Sequence, residues 1–365
     1  MRPAMTNPRA RDLGIRIGLG ASGPMNAITD VPGVRVGHRT IARGDGRSAV
    51  RTGVTAIFPG EAEPWREWVY AGVHILNGYG ELIGVNQLRE WGVLMSPVVL
   101  TSSLQIGKAY DATVRWIAAR DREGALEVMP VVSECDDSWL SDVLSFPLDD
   151  ADVAAALDDA SPGPVVEGCV GAGTGMQCFD FKGGIGTASR VLGTHAGGYT
   201  VGALVLTNYG DREHLRIDGV PVGREITDLM PEEHTEGSCV VIVATDAPLL
   251  PHQLTRVAQR AGLGLAATGS HASNGSGEQM LAFSTANRLQ VGAPERQVHA
   301  VIDGPTGAPW LLSQVFRATV EATEEAVVNA LVAAETTTGR DGNILHAMPL
   351  DRVIAMLERA GRLGG

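Results

Sequence analysis

The feature that most constrains the fold is the apolar run Cys239–Ala244, which reads Cys-Val-Val-Ile-Val-Ala. A continuous run rich in β-branched residues is typical of a strand buried on both faces. Residues 211–237 precede it. They are charged, contain Pro221 and Pro231 and have no sustained periodicity, which indicates a long surface connection. The sequence therefore predicts a central strand that begins at or next to Ser238.

Strand and helix patterns alternate along the rest of the chain. Hydrophobic residues make up 44% of the 365 residues and charged residues 19%, which is enough apolar material for a substantial core. The interleaving predicts one layered α/β domain spanning residues 1–365. The predicted strands are 34–36, 53–58, 97–100, 129–132 and 200–206, and the predicted helices are 109–123, one within 141–159, 250–261 and 310–334.

Composition excludes several classes of partner. The formal net charge is -13 and the basic residues form no run, which argues against binding a nucleic-acid backbone. No stretch of about 18 apolar residues occurs, so we expect no transmembrane helix and no membrane partner. The four cysteines form no C-x-x-C pair, so neither a zinc knuckle nor a thioredoxin-like motif is indicated. Four cysteines in a chain of this length do not make a disulfide framework, which favours a reducing compartment and a cytoplasmic protein. The nine histidines show neither H-x-x-x-H nor H-E-x-x-H spacing, so no metal site is predicted.

Gly237-Ser238 stands at the junction between the polar connection and the predicted central strand. A rigid strand would hold the serine hydroxyl, and glycine would give the backbone before it conformational freedom. Those are the requirements of an N→O acyl shift, in which the serine hydroxyl attacks the preceding carbonyl and an ester replaces the peptide bond. Water then hydrolyses the ester, which leaves the serine as a new N-terminus. The freed α-amine has a pKa near neutrality and can act as the base of its own hydroxyl. The alternative is an ordinary loop-to-strand turn.

Four further polar residues, at three places in the sequence, are candidates for catalysis or substrate binding. Ser276 and Glu278 are two residues apart and share a face in an extended segment, where a carboxylate can orient a hydroxyl; the alternative is a solvated glycine-bracketed turn. Asn208 ends an apolar strand, where its amide can donate to an oxyanion or merely cap the strand. Glu134 lies just beyond the strand 129–132, where it can bind an ammonium group or remain a surface acid.

The glycine-rich segment 171–175 does not match a phosphate-binding loop. No Lys-Ser/Thr pair follows at the right offset, and Met176 replaces the last glycine of the dinucleotide pattern. We therefore expect tight backbone packing there. No G-x-S-x-G elbow occurs, which argues against an α/β-hydrolase.

Taken together, these segments resemble the DmpA-type aminopeptidases, the L-aminopeptidase/D-amidase-esterase family that includes the β-peptidyl aminopeptidases. The likeness covers nearly the whole chain in order. It rests on Gly14–Gly18, Asn26–Val31, Gly33–His38, Val170–Met176, Phe181–Arg190, Thr235–Cys239, Val243–Leu249 and Gly339–Asn343.

The resemblance implies a four-layer αββα sandwich, similar to the Ntn hydrolases but differently connected. It implies a precursor that cuts itself at Gly237–Ser238 into an α chain, residues 1–237, and a β chain, residues 238–365. Ser238 would be the nucleophile and Asn208 the oxyanion donor, with Ser276 and Glu278 as the supporting pair. No cofactor is implied, and the expected assembly is a homotetramer of αβ units.

By the same resemblance, Glu134 is the acidic residue near the substrate amine, and the substrates are small peptides, amides or esters. Cys135 and Asp136 depart from the family pattern and are expected to shape the specificity pocket, Asp136 as a substrate-binding residue. Two alternatives remain open. Ornithine acetyltransferase-like acyltransferases share the self-processing logic but use threonine as nucleophile, and a degenerate member would fold without turnover.

Overall fold

The structure, a computed structural model, describes residues 8–233, 237–293, 298–301 and 310–363. Its strands are β1 (Arg35–Arg43), β2 (Val50–Phe58), β3 (Glu67–Gly78), β4 (Leu82–Ile83), β5 (Val93–Leu94), β6 (Val98–Ser102), β7 (Val131–Cys135), β8 (Gln177–Cys178), β9 (Phe181–Lys182), β10 (Ile185–Val191), β11 (Thr200–Asn208), β12 (Ser238–Thr245), β13 (Gly277–Gln290), β14 (Thr337–Thr338) and β15 (Ile344–Leu345). Its helices are α1 (Val85–Trp91), α2 (Ile106–Arg120), α3 (Asp150–Asp158), α4 (Val222–Glu225), α5 (Pro251–Thr268), α6 (Leu311–Ala333) and α7 (Leu350–Arg359).

Two large sheets form the centre of the fold. The first has the strand order β1-β2-β6-β7-β4, and the second has the order β10-β11-β12-β13-β3-β5. In the second sheet, β12 pairs antiparallel with β11 and parallel with β13. Two-stranded ribbons, β8-β9 and β14-β15, complete the strand pairing of the described residues.

Helices cover the outer face of each sheet. Helices α2 and α3 pack against β1, β2, β6 and β7, whereas α5 and α6 pack against β3, β10, β11, β12 and β13. A buried cluster fills the space between the sheets, with Ile57, Leu100 and Val131 from the first sheet and Leu206 and Ile242 from the second. The architecture is therefore the four-layer αββα sandwich that the resemblance implies.

Strand β12 shows why the sequence of the central strand is continuously apolar. Val240 and Ile242 belong to the cluster between the sheets, while Cys239, Val241 and Val243 belong to the cluster under α5 and α6. Side chains alternate between the faces of a strand, so a strand covered on both faces needs apolar residues at every position. By the same alternation, Ser238 lies on the face that points into the space between the sheets.

The glycine-rich segment Gly171–Gly175 forms a buried 3-10 turn against the first sheet. Gly171 has a φ of 53°, and a Cβ there would lie 2.4 Å from Thr55 Oγ1. The fully buried Lys182 holds the segment: its Nζ donates to the carbonyls of Gly173 (3.0 Å), Met176 (2.8 Å) and Gly183 (2.7 Å). The expected tight backbone packing is confirmed.

The sequence predicted most helices and several strands correctly, although their ends differ. Helix 250–261 continues to Thr268 through Gly262 and Gly264, and the long strands β3 and β13 were not predicted. The interpretation of 211–237 as a surface connection is wrong in part, because Leu215, Ile217, Val222 and Ile226 are fully buried; residues 234–236 lie outside the described ranges. Across the described residues, no helix combines the length and apolarity that crossing a membrane requires.

We predict that Lys182→Met lowers the free energy of unfolding by about 3 kcal/mol, because it leaves three buried carbonyls without their charged donor. Urea unfolding followed by circular dichroism measures the change. Lys108→Met is the matched control: Lys108 pairs with Asp150 at the surface, so its loss should cost less than about 1 kcal/mol. Equal unfolding midpoints for the two variants would contradict a structural role for Lys182.

Candidate active site

The predicted nucleophile Ser238 is the first residue of β12, and its neighbours in the sheet are Asn208 of β11 and Gly277 of β13. The residue is 5% exposed. No nitrogen or oxygen of the described residues hydrogen-bonds its Oγ, and the polar group beside it is the thiol of Cys135, a weak hydrogen-bonding group. A buried hydroxyl without a strong partner is uncommon in folded proteins and is typical of groups reserved for chemistry.

Asn208 is the last residue of β11, as the sequence predicts, and both ends of its amide are fixed. Its Oδ1 accepts from the Gln177 backbone N–H (3.1 Å), and its Nδ2 donates to the Asp136 carbonyl (2.8 Å). An amide nitrogen has two N–H donors, and the Asp136 carbonyl takes one of them. The second is suited to a developing negative charge beside Ser238.

Ser276 and Glu278 form a buried hydroxyl–carboxylate pair, as the sequence predicts. Ser276 Oγ donates to Glu278 Oε1, whereas Glu278 Oε2 is buried and has no partner among the described residues. Burial raises the pKa of Glu278, and the Ser276 hydroxyl opposes that shift. Gly277, between them, pairs with Ser238, so the two strands bring this pair to the nucleophile.

The backbone at Gly237 is confined on both sides. Its carbonyl accepts a hydrogen bond from the Gly277 N–H (3.2 Å). A Cβ at position 237 would lie 1.6 Å from the Asn208 carbonyl oxygen, closer than any non-bonded contact allows. Only glycine therefore fits immediately before Ser238. Thr235 and Glu236, which complete the predicted processing motif, lie outside the described residues.

Glu134 belongs to the first sheet but reaches the same region. The sequence places it just beyond its strand, whereas the structure includes it in β7. Its Oε1 accepts from the Glu81 N–H (2.8 Å), and its Oε2 accepts from the Ser103 hydroxyl. It is buried, and burial raises its pKa. A Cβ added to Gly80 would lie 3.2 Å from Glu134 Oε1 and 3.5 Å from Gly277 Cα, so the carboxylate lies across a narrow gap from β13.

Asp136 contributes its backbone to this region. Its exposed carboxylate accepts from the Ser138 N–H (2.9 Å) and hydroxyl (2.8 Å), while its carbonyl holds Asn208. The adjacent Cys135 is buried between the sheets, and its thiol lies 3.9 Å from the Leu206 carbonyl. Burial raises the pKa of that thiol well above its ordinary value. The end of β7 is thus joined to the end of β11, where the two sheets meet.

The structure also brings together residues that the sequence analysis did not connect. Gln177 and Gly277 act through backbone N–H groups, which carry no side-chain signature. Asp211, His214 and His271 have ligand atoms within 4.8 Å of one another. They come from separate segments, so their proximity has no local spacing to reveal it.

The chain is similar to known proteins over most of its length. The sequence profile of peptidase family S58 matches residues 26–345. The chain belongs to peptidase family S58. A β-peptidyl aminopeptidase of Sphingosinicella xenopeptidilytica is 42% identical over 97% of this chain and 92% of that protein.

Solved structures of similar proteins extend the comparison. A β-aminopeptidase of a Burkholderia species has a TM-score of 0.89 and 46% identity, covering 97% of this chain and 99% of the other. The L-aminopeptidase D-Ala-esterase/amidase of Ochrobactrum anthropi, a variant of the Ntn hydrolase fold, has a TM-score of 0.90 and 44% identity, covering 98% and 100%.

These matches confirm the predicted fold and family, and S58 membership makes the chain a serine-type aminopeptidase or amidase. The acyltransferase alternative is not favoured.

Asp137, next to Asp136, gives this region a measurable pH dependence. It is buried and accepts from the Ser102 hydroxyl (2.7 Å). Burial raises its pKa from 3.8 to about 7. The unfolded chain loses this proton near pH 4 and the folded protein only near pH 7, so this carboxyl makes stability fall as the pH rises through that window.

We predict that Asp137→Asn removes this part of the pH dependence. The free energy of unfolding of the variant, relative to wild type, should increase as the pH rises from about 4 to about 7. Urea unfolding at several pH values measures it, with the exposed neighbour Asp136→Asn as control. A constant difference between wild type and Asp137→Asn across the window would show that Asp137 is ionised throughout.

Proposed function

We propose that the protein is a self-processing aminopeptidase in which Ser238 first cuts its own chain and then acts as the nucleophile towards small peptides, amides or esters. The observation that carries the proposal is the buried Ser238 hydroxyl at the start of the central strand, between Asn208 and Gly277, where no nitrogen or oxygen of the described residues hydrogen-bonds it. The chain would be one αββα domain made of two pieces, residues 1–237 and 238–365.

In the processing step, Ser238 Oγ attacks the Gly237 carbonyl carbon. The new C–O bond replaces the peptide C–N bond, and the hydroxyl proton passes to the released nitrogen. Water then hydrolyses the ester, which leaves a carboxylate on Gly237 and restores the Ser238 hydroxyl. The Gly277 N–H at 3.2 Å from the Gly237 carbonyl oxygen is suited to polarising this carbonyl and stabilising the negative charge that develops on it.

In the turnover step, the new α-amine of Ser238 acts as the base. It takes the hydroxyl proton as Oγ attacks the substrate carbonyl, and it returns that proton to the leaving amine. An acyl-enzyme forms, and water hydrolyses it by the same route. The Asn208 amide, held by Gln177 and Asp136, is preorganised to donate to the oxyanion, so it needs no reorganisation when the charge appears.

The Ser276–Glu278 pair supports the proposed base. Glu278 Oε2 is buried and has no hydrogen-bond partner within the described ranges, and a free α-ammonium is the kind of group that satisfies such a carboxylate. The Ser276 hydroxyl fixes the other oxygen, so the carboxylate has one orientation. We infer that the pair holds and orients the new N-terminus after the chain is cut.

Glu134 is the residue from which we infer that the enzyme prefers substrates with a free amine. Its carboxylate is buried and fixed by Glu81 and Ser103, so a substrate ammonium would meet a preorganised negative charge. Asp136, which follows β7 directly and is exposed, adds negative charge at the end of that strand. A substrate anchored by its amine would place its first carbonyl at Ser238, which restricts hydrolysis to the N-terminal residue.

The expected assembly and compartment remain proposals. A groove lined by Trp68, Tyr70, Glu90, Trp91 and Leu289, with Trp91 61% exposed, supports association of αβ units, and the assembly we propose is a homotetramer. All four cysteines are unpaired, which supports a reducing compartment such as the cytoplasm. Sedimentation of the purified protein measures the number of units.

We predict that intact-mass spectrometry of the wild type shows two pieces, residues 1–237 and 238–365. Ser238→Ala should give one uncut chain of 365 residues, and its kcat should fall at least about 10⁴-fold because the nucleophile is absent. Ser145→Ala, in a surface turn, is the control and should be cut like the wild type. A wild-type protein that is fully active but stays uncut would contradict the self-processing mechanism.

We predict that Glu134→Gln raises KM for free-amine substrates by roughly 10- to 100-fold, because a charge-assisted hydrogen bond contributes about 1.5–3 kcal/mol. The measurement is the hydrolysis rate of aminoacyl-p-nitroanilides over a range of concentrations. Glu81→Gln, which changes an exposed neighbouring acid, should leave KM near the wild-type value. If N-acetylated and free substrates react equally in the wild type, Glu134 does not bind the ammonium.

A further inference from the structure

Two histidines and an aspartate converge beside the proposed catalytic pair. Asp211 precedes the short 3-10 turn Arg212–His214, His214 ends that turn, and His271 follows α5. Each offers one ligand atom, and these atoms lie within 4.8 Å of one another. The imidazole rings of His214 and His271 are 5.2 Å apart between centroids.

The three donor groups indicate which kind of metal ion would bind. Two imidazole nitrogens and one carboxylate oxygen form the three-residue set that zinc sites with an open fourth position use. Tetrahedral zinc separates its ligand atoms by roughly 3.3–3.5 Å when the bonds are about 2.0–2.1 Å. His271 is exposed and His214 and Asp211 are half-buried, and binding an ion at that spacing would require their side chains to rotate.

The cluster stands at the rim of the catalytic region. Asp211 and His271 line the same depression as Gly237, Ser276 and Glu278. His214 does not line the depression itself. Its Nε2 lies 3.5 Å from Glu213 Oε1, so a second carboxylate is available to orient the imidazole ring or to complete the coordination of an ion. An ion bound by these residues would face the Glu278 carboxylate across the depression.

We propose that Asp211, His214 and His271 form a binding site for a divalent transition metal, with Zn²⁺ as the expected ion, and that an ion bound there inhibits the enzyme. Its positive charge competes for the Glu278 carboxylate and occupies the rim of the depression. Metal binding is inferred from the three donor residues alone and does not depend on the proposed function, whereas the inhibitory effect rests on the proposed function.

Isothermal titration of the metal-freed protein with ZnCl₂ tests the site. The wild type should bind one Zn²⁺ per chain. His214→Ala and His271→Ala should each weaken the Kd by at least about 10- to 100-fold, the effect of losing even an outer partner of a metal site. His252→Ala, an exposed histidine at the opposite end of α5, should bind like the wild type. Equal affinity in all four proteins, or no binding by the wild type, overturns the proposal.

The rate of aminoacyl-p-nitroanilide hydrolysis against ZnCl₂ concentration tests the inhibition. The rate should fall with a midpoint near the measured Kd and recover with EDTA. In His214→Ala, compared with its own metal-free rate, the midpoint should shift by the same factor as the Kd. Binding without a change in rate, or with a faster rate, overturns the inhibitory role. A metal-free wild type without activity contradicts the proposed function, and the titration then still decides the metal site.

Discussion

The hydrogen-bond ladder around β12 is the constraint on which the rest of the structure depends. The antiparallel register with β11 sets Asn208 beside Ser238, and the parallel register with β13 sets Gly277 on the other side. A slip of one residue in either ladder would turn Ser238 towards the helices and separate it from both neighbours. The continuous apolar sequence of β12 is packed on both faces and holds that register in place.

The second constraint is that the two sheets meet at the ends of β7 and β11. Cys135 and Asp136 contact the backbone and side chain at the end of β11, so Glu134 of the first sheet lies near residues of the second. Ser238 Oγ and Glu278 Oε2 are buried in this region, and both are among the buried side-chain atoms that accept or donate no hydrogen bond to a nitrogen or oxygen in the described part of the chain. Low polarity around a site strengthens the electrostatic interaction of each charge and dipole with its neighbours.

The sequence predicts the central strand and the candidate residues because those signals are local. Cys239–Ala244 has an unmistakable pattern, and Asn208 and Ser238 stand at strand ends where apolar and polar segments meet. It does not predict β13, whose Gly, Gln, Ser and Thr residues become strand only through pairing with β3 and β12. Nor does it predict the Gly277–Gly237 hydrogen bond or the cluster of Asp211, His214 and His271, because these arise from tertiary contacts between distant segments.

The order of strands in the second sheet has a consequence for the cut protein. Strands β10, β11, β3 and β5 precede Ser238, whereas β12 and β13 follow it and lie in the middle of the sheet. If the proposed cut at Gly237–Ser238 occurs, the two pieces cannot separate without breaking the β11–β12 and β13–β3 hydrogen-bond ladders. They would therefore stay together while folded, but after unfolding they would have to find each other by diffusion. Refolding would then be a second-order process, so the cut protein would be protected by the slowness of its unfolding and not by reversibility.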